Sequence, residues 1–198
     1  MPVAGFWHWL PLGAIWVCWG LFGLVWLGGA IYNLRRAPAT RERCALPWAW
    51  LIGIIAYVIL YRLTPARVWT PITVEARWLV ILGVVVLATA TAFTLWARAV
   101  LGIMWTSAPV IKEHHALRTT GPYSLTRHPI YTGLLGMLAG TACISGLGPW
   151  VAIVALGVLL VVVKLRAEER LLERTFGETY QHYRRRVPLL VPRPHRSG

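Results

Sequence analysis

Residues 115–133 read His-Ala-Leu-Arg-Thr-Thr-Gly-Pro-Tyr-Ser-Leu-Thr-Arg-His-Pro-Ile-Tyr-Thr-Gly, a run rich in groups that hydrogen-bond or titrate, set between strongly apolar blocks. It holds two histidines (His115, His128), two tyrosines (Tyr123, Tyr131), two arginines (Arg118, Arg127) and three residues that shape the backbone (Gly121, Pro122, Pro129). Proline pushes the residue before it away from the helical region, so Gly121 and His128 are expected to be extended or in turns. A helix can restart only after Arg127-His128, with Pro129 suited to its first turn. Polar groups this dense, at the rim of an apolar block, ask for a ligand.

The apolar blocks on either side set the class. The chain has 198 residues, 57% of them hydrophobic, and 12 tryptophans; its mean hydropathy of +0.58 is too high for a soluble domain of this size and points to a polytopic membrane protein. A span needs about 20 apolar residues at roughly 1.5 Å each to cross a core of about 30 Å. Residues 10–32, 47–61 and 78–97 meet or approach that length, with Trp7, Trp9, Tyr32, Trp48, Trp50 and Tyr61 at their ends, where amphipathic rings favour the interface. The first run lacks a basic leader and exceeds signal-peptide length, so it reads as a spanning helix.

Residues 130–163 are apolar throughout except for Ser145-Gly-Leu-Gly-Pro149, which reads as the turn of a tight helical hairpin and so gives spans four and five. The expectation is an all-α integral membrane bundle of about five transmembrane helices. Residues 1–104 form a three-span N-terminal region, and residues 105–198 a cofactor-binding region with hairpin, amphipathic C-terminal helix and tail.

Charge patterning orients the bundle. Of the 20 Lys and Arg residues, none precedes span one, four lie in loop one, three in loop two, four in loop three, none in the hairpin turn and nine after span five. The positive-inside rule then places the N-terminus outside and the C-terminus in the cytoplasm, with residues 115–133 and the C-terminal helix on the same, cytoplasmic side. A net charge of +13 does not indicate nucleic acid, because the cations fall between apolar runs and not on one soluble module. All seven acids are glutamate, which argues against a carboxylate-rich metal site. Cys18, Cys44 and Cys143 are scattered without CxxC spacing, which argues against disulfide, zinc or redox roles.

Residues 164–183 read as a helix leaving the membrane, with Leu165, Glu169, Leu172 and Phe176 on one stripe and Glu168 beside it. A carboxylate on a stripe meant for burial needs a partner. Pro188 and Pro192 end regular structure.

Two blocks now stand out: Lys112-x-x-His115-x-Leu117-x-x-x-Gly121-x-Tyr123-x-x-x-Arg127-His128-Pro129-x-Tyr131-x-Gly133, and Glu168-Glu169-x-x-Leu172-x-x-x-Phe176-Gly177-x-x-Tyr180-x-x-Tyr183 followed by Arg186-Val187-Pro188. In residues, spacing and order they resemble the isoprenylcysteine carboxyl methyltransferase and phospholipid methyltransferase group of small membrane enzymes. The resemblance covers residues 105–188; the first three spans match only as apolar runs.

The resemblance implies S-adenosylmethionine as methyl donor, held at the cytoplasmic interface by Lys112, His115, Ala116, Leu117, Arg118, Tyr123, His128, Pro129, Ile130, Tyr131 and Glu168. The residue chemistry is compatible. Glu168 suits the donor's ammonium, the imidazoles and Arg127 suit its carboxylate or ribose, and Tyr123 or Tyr131 suits stacking or contact with the cation.

Arg127, His128 and Glu169 are the candidate catalytic residues. A carboxylate acceptor needs no base, whereas a thiol or amine must lose its proton, with His128 or Glu169 as candidate acceptors of it. Lys164 and Arg166 are the candidate acceptor-binding residues. Prenylcysteine methyltransferases tend to place an Arg where Lys164 stands, and Lys offers a point charge in place of a bidentate fork. The acceptor is expected to be lipophilic or prenylated and to enter from the bilayer among the membrane lipids; a small thiol or a lipid amine remains open.

Two other classes compete. An NADPH-dependent sterol or enone reductase shares a similar C-terminal region, but no separate basic pocket suits a 2′-phosphate. A non-catalytic carrier or scaffold sits poorly with spans that hold almost no ionisable residues. Gly133 is expected to let helices pack closely.

Overall fold

The computed structural model describes residues 3–36, 40–43, 55, 58–59, 61–74, 76–102, 110–112 and 117–192. The described elements include five α-helices and a short ribbon, α1 (Val3–Arg36), β1 (Thr40–Arg43), α2 (Arg77–Leu101), β2 (Val110–Lys112), α3 (Pro122–Leu125), α4 (Pro129–Ile144) and α5 (Trp150–Arg186), with two 3-10 turns, Ala66–Val68 and Thr70–Ile72, before α2. Among the described residues, three helices are long and apolar enough to cross a membrane, within Trp9–Tyr32, Arg77–Leu101 and Trp150–Arg186, and α4 is a shorter apolar helix. These match the first, third, fifth and fourth expected spans, and make the described chain an all-α membrane bundle. The second expected span, residues 47–61, lies almost entirely outside the described residues.

The bundle is built around α2 and α4. A Cβ on Gly133 would fall 1.8 Å from Thr94 Oγ1, and one on Gly140 would fall 2.7 Å from the Leu87 backbone nitrogen. Only glycine lets the two backbones approach so closely, as helices must where lipid removes any hydrophobic drive between them. Leu87 and Met137 are buried at this contact with Cys18 of α1, flanked by Ile15, Trp19, Phe22, Ala90 and Ile144. Trp19 Nε1 donates to Thr141 Oγ1 (3.0 Å), tying α1 to α4 by a hydrogen bond.

The expected hairpin is present. Gly146, Leu147 and Gly148 all have positive φ in the turn between α4 and α5. The segment before α2 clasps this turn, with Val74 N donating to the Gly146 carbonyl (2.9 Å) and Gly148 N to the Ile72 carbonyl (3.2 Å).

The ribbon was not expected. β1 and β2 pair antiparallel, with Thr40 opposite Lys112 and Arg43 opposite Val110. This joins the first and third loops, the pair that the charge count puts on one side of the membrane. At about 1.5 Å per residue, the 37 residues of α5 reach roughly 55 Å, well past a core of about 30 Å. Its C-terminal part therefore leaves the apolar layer, and it breaks at Gly177 (φ 49°, ψ −124°), a backbone geometry suited to glycine.

Candidate functional site

The segment before α4 folds as its prolines dictate. Gly121 turns with φ 62°, Pro122 opens the single turn of α3, and Thr126 is extended. His128 caps α4 from outside the helical region (φ −128°, ψ 62°), with Pro129 in the first turn. Arg127 and His128 thus sit at the mouth of the hairpin. Antiparallel pairing sets them opposite the point where α5 emerges, and the stripe carrying Glu168 and Glu169 faces them.

Contacts there are dense. Arg127 Nη1 donates to Glu169 Oε2 at 2.6 Å. His128 Nε2 lies 2.8 Å from Glu169 Oε1, and its Nδ1 lies 3.5 Å from Glu168 Oε2. The Tyr131 hydroxyl donates to Glu168 Oε1 at 2.5 Å, and the Tyr180 hydroxyl donates to Glu169 Oε1. Beyond the Gly177 break, Tyr183 turns back and donates to the Tyr123 carbonyl at 2.6 Å. Tyr180, Tyr183 and Val187 form a buried cluster against Leu117, Leu172 and Phe176. Lys164 Nζ stands 5.4 Å from the Tyr131 ring centre.

This geometry fixes the electrostatics. Burial alone would lower the His128 pKa, but its hydrogen bonds to Glu168 and Glu169, and their charges, outweigh burial and hold it above the ordinary value. Burial, then the neighbouring Tyr183 and Glu168, pushes the Tyr123 phenol up, so it stays protonated. Glu169 accepts from Arg127, His128 and Tyr180 at once. Glu168 has Tyr131 and the more distant His128 Nδ1, which leaves it acceptor capacity. Arg127 Nε is buried with no hydrogen-bond partner among the described residues, a donor in want of an acceptor.

The structure therefore gathers Leu117, Tyr123, Arg127, His128, Pro129, Ile130, Tyr131, Lys164, Glu168 and Glu169 at one end of the bundle. It leaves Arg118 and Arg166 exposed. Lys112 falls in β2, while His115 and Ala116 lie outside the described residues. Sequence reasoning did not assign Tyr180 and Tyr183 to the site. Their spacing of three continues the Leu172 and Phe176 stripe, which was the available signal.

Residues 78–179, just over half of the chain, match the family model of phospholipid methyltransferases. The chain is 32% identical to a nickel-cobalt-cadmium resistance protein of Alcaligenes xylosoxydans xylosoxydans, over 59% of this chain and 63% of that protein. It is 31% identical to a methanethiol S-methyltransferase of Mycobacterium tuberculosis, over 82% of this chain and 68% of that protein. It is 36% identical to protein-S-isoprenylcysteine O-methyltransferase B of Arabidopsis thaliana, over 41% of this chain and 42% of that protein. The chain thus spans less than two thirds of the length of the first and third of these relatives.

Proposed function

The chain belongs to the phospholipid methyltransferase family, and from that premise we propose that it is a membrane methyltransferase that moves a methyl group from S-adenosylmethionine to a small or lipophilic acceptor. The observation that carries this reading is the convergence of Arg127, His128 and Tyr131 on Glu168 and Glu169.

The residues fit such a donor. The spare acceptor capacity of Glu168 suits an ammonium, the orphaned Arg127 Nε suits a carboxylate, and the Tyr131 face, already beside the Lys164 ammonium, suits a cation. When bound, the donor supplies a methyl on a sulfonium that is itself a good leaving group. The protein's work is then alignment and exclusion of water, without a nucleophilic side chain.

Glu169 serves that work by fixing Arg127 and His128; with three donors on it, the carboxylate orients its neighbours in place of taking a proton. His128 is wedged between two carboxylates, which hold it in position and keep its pKa above the ordinary value against the pull of burial. In this reading Lys164 holds an anionic acceptor arriving from the bilayer, its position beside the Tyr131 ring supporting that role, and the positive-inside pattern supports a cytoplasmic face for the cluster.

Calorimetric titration of S-adenosylmethionine into the purified full chain tests the reading, with NADPH titrated alongside. Binding of the first, its loss in His128→Ala and Glu168→Ala, and no binding of the second are expected. Unchanged affinity in both variants would remove the proposal, and binding of NADPH alone would replace it with the reductase.

A further inference from the structure

The carboxylates hold the side chains of Arg127 and His128; a second set of contacts holds their backbone. Arg127 N–H donates to the Pro188 carbonyl at 2.9 Å and His128 N–H to the Leu189 carbonyl at 3.3 Å. Thr126 Oγ1 donates to the same Leu189 carbonyl at 2.8 Å, and Thr132 Oγ1 donates to the Leu190 carbonyl at 2.6 Å. Donors from either end of the Arg127-His128 pair thus meet consecutive carbonyls of the C-terminal segment.

From this convergence we infer that residues 188–190 are a strap that sets the register of the Arg127-His128 backbone against Glu168 and Glu169, with Thr126 and Thr132 as positioning residues. The inference rests on the methyltransferase reading of the same site.

Burial separates this role from plain core packing. Leu189 is 36% exposed, and Pro188 and Leu190 are only half-buried, so the segment adds hydrogen bonds from three consecutive carbonyls to a modest burial of its side chains. Thr126 is 0% exposed, in a space that valine would fill equally well; what its hydroxyl adds is the bond to the strap. The strap's root is fixed as well. Val187 N donates to the Tyr183 carbonyl at 3.0 Å, and Val187 is buried against Tyr180 and Tyr183. Those tyrosines also hold Glu169 and the Tyr123 carbonyl, so strap, loop and carboxylates share one scaffold. The His128 carbonyl accepts from Thr132 N–H at 3.0 Å and from Thr132 Oγ1 at 3.2 Å, and the strap carbonyls hold the Arg127 and His128 N–H groups, so the backbone is tied on both its donor and acceptor sides. A displacement of about 1 Å at a reacting centre costs on the order of a hundredfold in rate, which is why holding the backbone matters.

The test uses full-length Thr126→Val and Thr132→Val, with Thr126→Ser and Thr132→Ser as the conservative partners. Melting temperature, the dissociation constant for S-adenosylmethionine and the titration of a labelled His128 imidazole by NMR are measured for each. The valine variants are expected to weaken donor binding about tenfold, as for one lost hydrogen bond, and to let the His128 pKa fall toward its ordinary value. The serine variants restore both. A valine variant with wild-type affinity and titration overturns the strap, as does a loss that serine fails to restore. If Thr126→Val does not fold, Thr132→Val and the serine pair decide by the same criteria. A wild-type protein that binds no donor overturns the methyltransferase reading instead, and the His128 titration then still judges the strap.

Discussion

Two adjacent carboxylates with different partners should fail differently when neutralised. Glu169→Gln keeps the side-chain shape but leaves the Arg127 guanidinium, 9% exposed and with Nε already unpartnered, facing a neutral amide. Removing one partner of a buried ion pair costs about 3–5 kcal/mol. The 15% exposure of Glu169, and the carbonyl that Gln retains for one of its donors, put the cost at the low end, about 3 kcal/mol. In a chain of 198 residues, that corresponds to a melting point lower by roughly 6–12 °C. Glu168→Gln keeps an oxygen to accept from Tyr131 and loses the charge offered to an ammonium together with the longer, 3.5 Å contact to His128 Nδ1, while the closer Glu169 contact to Nε2 at 2.8 Å remains. Its melting point should stay within about 2 °C of the wild type, while donor affinity falls roughly ten- to hundredfold, as expected for a hydrogen bond to a charged group. Differential scanning fluorimetry and donor calorimetry on the two variants, in one detergent, read both quantities. The division of labour is refuted if Glu168→Gln melts as low as Glu169→Gln, or if it binds the donor as tightly as the wild type.

Other perturbations follow from the same geometry. The folded-state pKa of His128 lies above its ordinary value of about 6.5, so its stabilising contribution is complete below that pH and is lost as pH rises through the raised value; melting curves against pH should show this decline, and Glu169→Gln should move it to lower pH. Lys164→Met should raise KM for a carboxylate-bearing acceptor about tenfold with little change in donor affinity, whereas Arg166→Ala, at an exposed position, should leave both within about twofold; equal effects of the two would remove Lys164 from the acceptor site. In Gly140→Ala the new Cβ would fall 2.7 Å from the Leu87 nitrogen, and such overpacking costs about 1–3 kcal/mol. Because α4 carries Arg127 to Tyr131 at its mouth, donor affinity should fall together with the melting point, and a variant that melts lower but binds normally would uncouple the helix contact from the site.

What the sequence could show followed from how local each signal is. Pro122 and Pro129 act on their own neighbours, so the non-helical His128 and the restart of the helix were readable directly. The Ser145 to Pro149 break in a long apolar run announced the hairpin, and hairpin antiparallelism alone brings His128 level with Glu168. Gly133 was read as a packing glycine, and it lies against Thr94. The features that escaped depend on backbone groups or on distant folding. Gly177 inside a helical pattern reads as a mild propensity cost, yet it breaks α5 and turns Tyr180 and Tyr183 back to the site. The β1–β2 ribbon is too short to carry an alternating pattern. The strap binds through main-chain carbonyls, which every residue possesses, so it leaves no mark in side-chain chemistry.

Why two glutamates stand next to each other, and not one turn apart, follows from helix geometry. Consecutive residues on a helix diverge by about 100°, so one position cannot offer both carboxylates along the same direction. Glu168 and Glu169 therefore reach opposite sides of a single imidazole, one toward Nδ1 and the other toward Nε2. A pair spaced by four residues would stack along one face and reach only one side of the ring. Glu169, turned toward Arg127 and Tyr180, becomes saturated, and Glu168, turned toward Tyr131 and Lys164, keeps room for another cation. The separation of a holding carboxylate from a binding one thus arises from a 100° step on α5. Inserting one residue between them would leave Glu168 in phase with the membrane span but rotate Glu169 and the Tyr180–Tyr183 segment by about 100°, off Arg127 and His128, and donor binding should fall even where the protein still folds.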